Sequence, residues 1–180
     1  MREELGDREG IWVPTNTGGR VSLEEYMAIT DEVRAGRPRR YMETFFKIEG
    51  IENEIMPFKF NSNQDYFDAM TFGKLRRVTD GLFVFCLKDR KATWTTWVQG
   101  CINAFVYNIP GFHVLIVGAQ SDHAALCLKI GDTFYNNLPD ERNRKADGSM
   151  GAYKWRPEKT HWDQSYREVS FGPALSDGTT

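Results

Sequence analysis

The sequence contains few cysteines and histidines, the residue types that often form metal-binding or catalytic sites. It has three cysteines and three histidines in 180 residues. An odd number of cysteines, dispersed in apolar stretches, argues against a disulfide scaffold and favours a reducing compartment. His123 and Cys127 have the spacing of a metal-ligand pair on one helix face, but no second pair has usable spacing. We therefore interpret these two residues as partly buried side chains.

Long apolar runs and an excess of one charge are also missing. The longest apolar runs are far too short to cross a membrane, and the polar start MREELGDREG has no secretory signal. We expect no membrane contact. The formal net charge is −2, so no global basic surface marks the chain as a nucleic-acid-binding protein. With 41% hydrophobic and 27% charged residues, one domain can bury a core without disulfides or metal.

Residues 1–56 are predicted to form an N-terminal arm and a helix. The helix, SLEEYMAITDEVRAG, begins with Ser22 and Glu25 at the spacing of a capping box. The next stretch, RPRRYMETFFK at 37–47, interleaves basic and aromatic side chains. This pattern can bind nucleic acid through phosphate contacts and base stacking. A basic surface loop that enters a strand is the alternative, and we prefer it.

Residues 57–180 have the pattern of an α/β core. A helix is predicted at about 63–77, and two apolar runs, Gly81–Lys88 and Phe112–Ala119, are predicted to be strands buried on both faces. Each run is followed by a helical pattern, TTWVQGCINAFVYNIP and SDHAALCLKIGDTFYNNLP. Strand, helix, strand and helix with short loops predict a parallel sheet with right-handed crossovers.

The end of the chain is predicted to be less regular. Residues 139–165 form a polar excursion whose charges largely cancel, and Tyr166–Gly172 is a predicted third strand. The last residues have turn chemistry without a following element. We therefore expect an α/β core that is incomplete at its C-terminus.

The segment between Gly81–Lys88 and the following helix has the position of a ligand-binding loop. In open parallel sheets, ligands bind beyond the carboxyl ends of strands, and the free N–H groups of the next helix attract anions. Three cationic residues and two threonines stand there: Lys88, Arg90, Lys91, Thr95 and Thr96. This chemistry suits a phosphate and its magnesium ion. An ordinary strand-to-helix turn is the alternative, because the G-x-x-x-x-G-K-[ST] motif is absent.

Three motifs resemble the N-terminal ATPase domain of the large terminase subunit of tailed bacteriophages, the motor that packages DNA into the procapsid. They are FKFNSNQDYFDAM, FCLKDRKATWTTWVQGCINAF and HVLIVGAQSDHAALCLKIGDTFY. The resemblance covers about Pro57 to Gly178. It implies that residues 57–180 form a partial ATPase-like core, a P-loop NTPase-like three-layer βαβ arrangement with a parallel sheet.

The resemblance also implies a role for each matching position. Gln64 would read the adenine of ATP, and Arg90 would act as a catalytic finger on the γ-phosphate. Thr95 would bind Mg²⁺ through the nucleotide complex, with Thr96 as its neighbour. The nucleotide-binding set is thus Gln64, Lys88, Arg90, Lys91, Thr95 and Thr96.

Some family features have no counterpart in this sequence. Thr93 stands where the family has glycine, and Trp94 stands where lysine is most often found. A non-glycine residue that must adopt a positive φ is strained, and an indole would crowd the phosphates. The Walker B acids, the catalytic glutamate and the nuclease domain are not matched, so we expect little ATP hydrolysis by this chain alone.

The first functional hypothesis is therefore a nucleotide-binding segment of a DNA-packaging motor, with ATP and Mg²⁺ as cofactors, in the cytoplasm of an infected host. By resemblance, its partners would be double-stranded DNA, the portal protein and the small terminase subunit, in a homo-oligomeric ring. The alternative is a non-catalytic phage assembly module on an ATPase-like fold that binds a protein partner or nucleic acid. A third hypothesis is an unrelated small α/β protein without a nucleotide role.

Overall fold

The structure is a computed structural model that describes residues 12–50, 52–73, 93–117, 121–138, 156–157, 159–162 and 169–171. Five helices and six short strands lie in these ranges. In chain order they are β1 (Trp12–Pro14), β2 (Arg20–Ser22), α1 (Leu23–Arg34), α2 (Arg39–Phe45), β3 (Lys47–Glu49), β4 (Ile55–Pro57), α3 (Ser62–Thr71), α4 (Trp94–Asn108), α5 (Ser121–Asn136), β5 (Lys159–Trp162) and β6 (Val169–Phe171).

A hairpin at the start of the described chain leads directly into the first helix. Strands β1 and β2 pair antiparallel, with Val13 opposite Val21. The Oγ of Ser22 accepts a hydrogen bond from the backbone N–H of Glu25 at 3.1 Å and so caps α1. The predicted helix and its cap are confirmed. Residues 12–14 and 20–22 form the paired strands β1 and β2.

The basic stretch at 37–47 is mostly helical, so its interpretation as a surface loop is wrong. Tyr41 and Phe45 of α2 are buried in the core. Arg40 contacts the carboxylates of Glu25 and Glu32 on α1 at 2.8 and 3.1 Å. The aromatic side chains are therefore occupied by packing, and the charge of Arg40 is paired within the protein.

The predicted P-loop NTPase-like three-layer core with a parallel sheet is wrong. Within the described ranges every sheet has two strands, and all three strand pairings are antiparallel. The predicted strand Tyr166–Gly172 contains β6, which pairs with β5. A parallel pair needs a long crossover, whereas these pairs form between strands that are near one another in sequence.

One predicted buried strand has a different structure. Residues 112–117 have no regular secondary structure, and Leu115 and Val117 are 87% and 82% exposed. An apolar run favours a covered strand, but it does not specify the partner strand that would cover it. The other predicted strand, Gly81–Lys88, lies outside the described residues, and so does most of the excursion at 139–165.

The three predicted helices after residue 57 are present, with revised ends. Helix α3 spans Ser62–Thr71, α4 spans Trp94–Asn108 and α5 spans Ser121–Asn136. Helix α4 ends two residues before Pro110, as expected from the missing N–H of proline. Local periodicity and termination signals were sufficient to predict these elements.

The described core is rich in aromatic side chains and lies among α1, α2, α4 and α5. The rings of Phe46 and Phe134 stack with centroids 4.7 Å apart, and the ring of Phe58 meets that of Phe134 at 6.0 Å. Phe46 precedes residue 57 and Phe134 follows it, so the core draws on both predicted segments. The division at residue 57 stays a prediction.

A close contact between helices α2 and α4 depends on a residue without a side chain. A Cβ added at Gly100 would collide with the terminal methyl group of Met42. Met42 is fully buried, and its Sδ lies 3.8 Å from Sγ of Cys101. Gly100 therefore provides the space that the Met42 side chain fills.

Candidate functional site

The N-terminal ends of α3 and α4 meet in space. The Nδ2 of Asn61 donates a hydrogen bond to Oγ1 of Thr93 at 2.8 Å, and Nε2 of Gln64 donates to the Thr93 carbonyl at 3.3 Å. Thr93 is the residue before the first turn of α4. The structure thus brings Gln64 next to the end of the predicted phosphate loop.

Gln64 is held by hydrogen bonds at both ends of its amide. Its Oε1 accepts from the backbone N–H of Asn61 at 3.1 Å, while Oδ1 of Asn61 accepts from the Gln64 N–H at 3.0 Å. These two bonds form the capping box of α3. The Gln64 side chain is buried, at 3% exposure. In this geometry the amide organises the junction between the two helices and is turned away from solvent.

Thr93 has a left-handed backbone conformation, with φ 52° and ψ 16°. Thr93 and Asn53 are the non-glycine residues with a positive φ in the described part of the chain. For a β-branched residue the left-handed region costs about 1–2 kcal/mol. The Asn61 and Gln64 hydrogen bonds, at about 1 kcal/mol each, are of the size needed to offset that cost.

The first turn of α4 has the features of an anion-binding helix end. The Thr93 side chain makes no capping hydrogen bond to it. Thr95 and Thr96 lie in this turn and are half-buried. Backbone N–H groups at the positive end of a helix dipole attract anions. The chemistry predicted for Thr95 and Thr96 is therefore compatible with their place in the fold.

Trp94, expected to crowd a phosphate, belongs to an aromatic cluster between α3 and α4. Its ring centroid lies 4.3 Å from that of Phe67 and 5.0 Å from that of Trp97. These contacts join the beginning of α4 to the side of α3. Trp94 therefore contributes to the packing that holds the two helix ends together.

The predicted site also has a cationic part. Lys88, Arg90 and Lys91 lie outside the described residues. Their assignment to nucleotide binding, and that of Arg90 to catalysis, stay predictions.

Asp68 is a residue near the junction that the sequence did not point out. Its Oδ1 is buried and has no hydrogen-bond partner in the described part of the chain. Burial raises the pKa of this carboxyl group above its ordinary 3.8, and the charge of Arg39 opposes the shift. Arg39 itself contacts Asp65 at 2.8 Å and lies 4.6 Å over the ring of Phe60. The signal in the sequence is the spacing: Asp68 lies four residues after Gln64 and therefore on the same face of α3.

An apolar groove lies beside the junction. It has a volume of about 440 Å³ and is lined mainly by aromatic side chains and Cys101, including Phe72, Trp94, Trp97, Phe105 and Phe112. Trp97 is 2% exposed, and its indole N–H has no hydrogen-bond partner among the described residues. Val114 and Leu115, both exposed, stand at the side of the groove. The groove can take an apolar group.

The interpretation of His123 and Cys127 as partly buried side chains is confirmed for Cys127 only. His123 is exposed and Cys127 is half-buried on α5. Within those ranges no group of three histidine, cysteine, aspartate or glutamate side chains could hold a metal ion.

No protein-family model, no curated protein and no solved structure matches this chain. The resemblance to the terminase large subunit therefore stays a prediction. Among the helices of the described residues, none has the length and apolar character that a membrane span requires.

Proposed function

We propose that this chain is the nucleotide-binding segment of a phage DNA-packaging ATPase similar to the large terminase subunit. The proposal is carried by the hydrogen bond between Gln64 and Thr93. The sequence resemblance assigns both Gln64 and Thr93 to one nucleotide site, with Thr93 in its phosphate loop. These residues are 29 positions apart in sequence and 3.3 Å apart at the bonded atoms. Such proximity supports a common site at the α3–α4 junction, and it does not depend on a parallel sheet.

The N-terminus of α4 would bind the phosphates. Its first-turn N–H groups, which the Thr93 side chain does not cap, and its positive dipole end suit an anion. Lys88 and Lys91 would add positive charge, and Arg90 would contact the γ-phosphate. Thr95, with Thr96 beside it, would hold Mg²⁺ together with phosphate oxygens, and the ion would neutralise part of the phosphate charge.

The remaining parts of the proposal come from the resemblance. The motor would act on double-stranded DNA in the cytoplasm of the infected host. Its partners would be the portal protein and the small terminase subunit, and copies of the chain would assemble into a ring.

Nucleotide titration of the whole chain tests the proposal. Isothermal titration calorimetry with ATP, with and without Mg²⁺, should show magnesium-dependent binding. Thr95→Ala and Arg90→Ala should each weaken it by about tenfold, equivalent to the loss of one charge-assisted contact. Thr133→Ala is the matched control, because Thr133 is a half-buried threonine on α5. Absence of binding at millimolar ATP would contradict the proposal for this chain.

A non-catalytic module that binds a protein partner is the second candidate, and the apolar groove favours it. An apolar partner side chain would fill the space between Trp97 and Phe105. This role predicts that the chain binds a hydrophobic dye such as ANS and that Ile102→Glu, at the groove, abolishes binding. Leu126→Glu is the control, because Leu126 is 56% exposed on α5. Dye binding without nucleotide binding would favour this candidate over the motor.

A further inference from the structure

Two side chains at the N-terminal end of α3 hold Thr93, the residue just before α4. Asn61 binds the hydroxyl of Thr93 at 2.8 Å, and Gln64 binds its carbonyl at 3.3 Å. The other end of the Gln64 amide accepts the Asn61 N–H at 3.1 Å. Since that bond fixes which end of the amide faces Asn61, the donor end faces Thr93. We call these three residues, Asn61, Gln64 and Thr93, the Thr93 clamp.

The conformation that the clamp holds is one that threonine does not prefer. Thr93 has φ 52°, in the left-handed region that is unfavourable for β-branched residues. Its carbonyl, besides accepting from Gln64, accepts the N–H of Trp97 at 3.2 Å, which is the first hydrogen bond of α4. The backbone of Thr93 therefore determines where α4 begins and how its first N–H groups are aimed.

We infer that Gln64 is a positioning residue of the proposed nucleotide site and acts through Thr93. It holds Thr93 left-handed and so presents the first turn of α4 to the phosphates. It does not read the base, because its amide is buried and used at both ends. The effect on nucleotide binding rests on the proposed function, whereas the effect on the conformation of Thr93 does not.

Three substitutions test the hydrogen bonds of the clamp independently of the role of Asn61 and Gln64 in capping α3. Gln64→Glu keeps an acceptor for the Asn61 N–H, and thus the capping box, but it has no donor for the Thr93 carbonyl. Thr93→Gly adopts a positive φ without the clamp. Asn61→Ser keeps a good helix cap and is too short to reach the Thr93 hydroxyl. This last variant serves if a buried glutamate at position 64 prevents folding.

The conformation of Thr93 is measured by NMR on the whole chain. Its ¹³C chemical shifts and its one-bond Cα–Hα coupling distinguish a positive from a negative φ. We expect a positive φ in the unmodified protein and its loss in Gln64→Glu or Asn61→Ser. A positive φ that persists in both variants overturns the inference, as does a negative φ in the unmodified protein.

Nucleotide affinity shows whether Gln64 acts through Thr93. If about a tenth of the Gln64→Glu molecules keep the binding-competent conformation, the affinities for MgATP and MgGTP both fall by about tenfold. Adding Thr93→Gly to Gln64→Glu should restore both affinities to within about threefold of the unmodified protein, since glycine frees the conformation from the clamp. A loss confined to MgATP and not rescued by Thr93→Gly would mean that Gln64 reads the base, and the inference would be wrong.

Failure of the clamp and failure of the proposed function give different results. If the unmodified chain binds neither nucleotide, the proposed function fails. The NMR comparison then decides the clamp by itself, with loss of the positive φ supporting it and persistence overturning it.

Discussion

The carboxyl group of Asp68 lies in surroundings that disfavour its charged form. Burial raises the pKa of this group, and Arg39 compensates only in part. Because its pKa is higher in the folded state than in the unfolded state, the folded state binds the proton more tightly. The resulting destabilisation is absent below the ordinary pKa of 3.8 and is fully present once the pH has passed the folded pKa.

Asp68→Asn should therefore stabilise the protein at neutral pH. We expect the free energy of unfolding at pH 7 to rise, because asparagine carries no charge in surroundings that disfavour the carboxylate form of Asp68. The decrease in stability as the pH rises from 3.8 should become smaller. Urea unfolding at a series of pH values measures both effects.

Asp65→Asn is the control, because it makes the same chemical change three residues earlier on α3. Asp65 is exposed and pairs with Arg39 at 2.8 Å. Its substitution should lower the free energy of unfolding by at most about 1 kcal/mol, as expected for the loss of a surface ion pair. Equal stabilisation by the two substitutions would contradict the assignment to Asp68.

The conformation, hydrogen bonds and burial of single residues could be predicted from the sequence to different extents. The Ser22 cap follows from a local pattern, whereas no local pattern predicts the positive φ of Thr93, a β-branched residue. The bond from Gln64 to Thr93 could not be predicted from local chemistry, because it depends on how two helices pack. The same holds for Asp68, whose exposed or buried state on α3 is decided by its neighbours.

At the scale of elements, the sequence prediction and the structure differ at residues 112–117, where a buried strand was predicted. A buried strand would lose several kcal/mol on replacement of two core side chains. Leu115 and Val117 are 87% and 82% exposed, so the double substitution Leu115→Asn and Val117→Asn should change stability by less than about 0.5 kcal/mol. Urea unfolding monitored by circular dichroism provides the measurement.

Phe105→Ala is the matched positive control for that experiment. Phe105 lines the apolar groove, as Leu115 does, but is only 8% exposed. Its truncation should therefore lower the free energy of unfolding by about 3–5 kcal/mol. A loss above about 2 kcal/mol in the Leu115/Val117 double variant would show that the segment is covered in solution.

Helices were more predictable than strands for a physical reason. The apolar stripe, the cap and the terminating proline of a helix all lie within its own sequence. A strand, in contrast, is completed by hydrogen bonds to another segment. The apolar run at 112–117 therefore carried no information about its partner, and the parallel sheet inferred from it was wrong.

At the scale of the whole molecule, the core links residues on both sides of position 57. Phe134 of α5 packs on Phe46 and Phe58, and it is fully buried. Phe134→Ala should lower the free energy of unfolding by about 3–5 kcal/mol. Since the core is shared, circular dichroism and tryptophan fluorescence should report one common unfolding transition in urea.

Tyr66→Ala is the control, because Tyr66 is 62% exposed on α3 and should lose less than about 1 kcal/mol. Two separate transitions, with only one displaced by Phe134→Ala, would contradict the shared core. They would favour independent units on the two sides of residue 57.

The contact of Met42 with Gly100 has a consequence for the lifetime of the protein under oxidative stress. Oxidation converts methionine into a polar sulfoxide, and the Met42 side chain is fully buried beside Cys101 and Gly100. The folded chain should thus protect Met42 from hydrogen peroxide, while the half-exposed Met70 reacts readily. A chain oxidised at Met42 while still unfolded would bring a polar oxygen on Sδ into the fully buried space beside Cys101. Peptide mass spectrometry after peroxide treatment, before and after refolding, should therefore find Met42 sulfoxide concentrated in molecules that fail to refold.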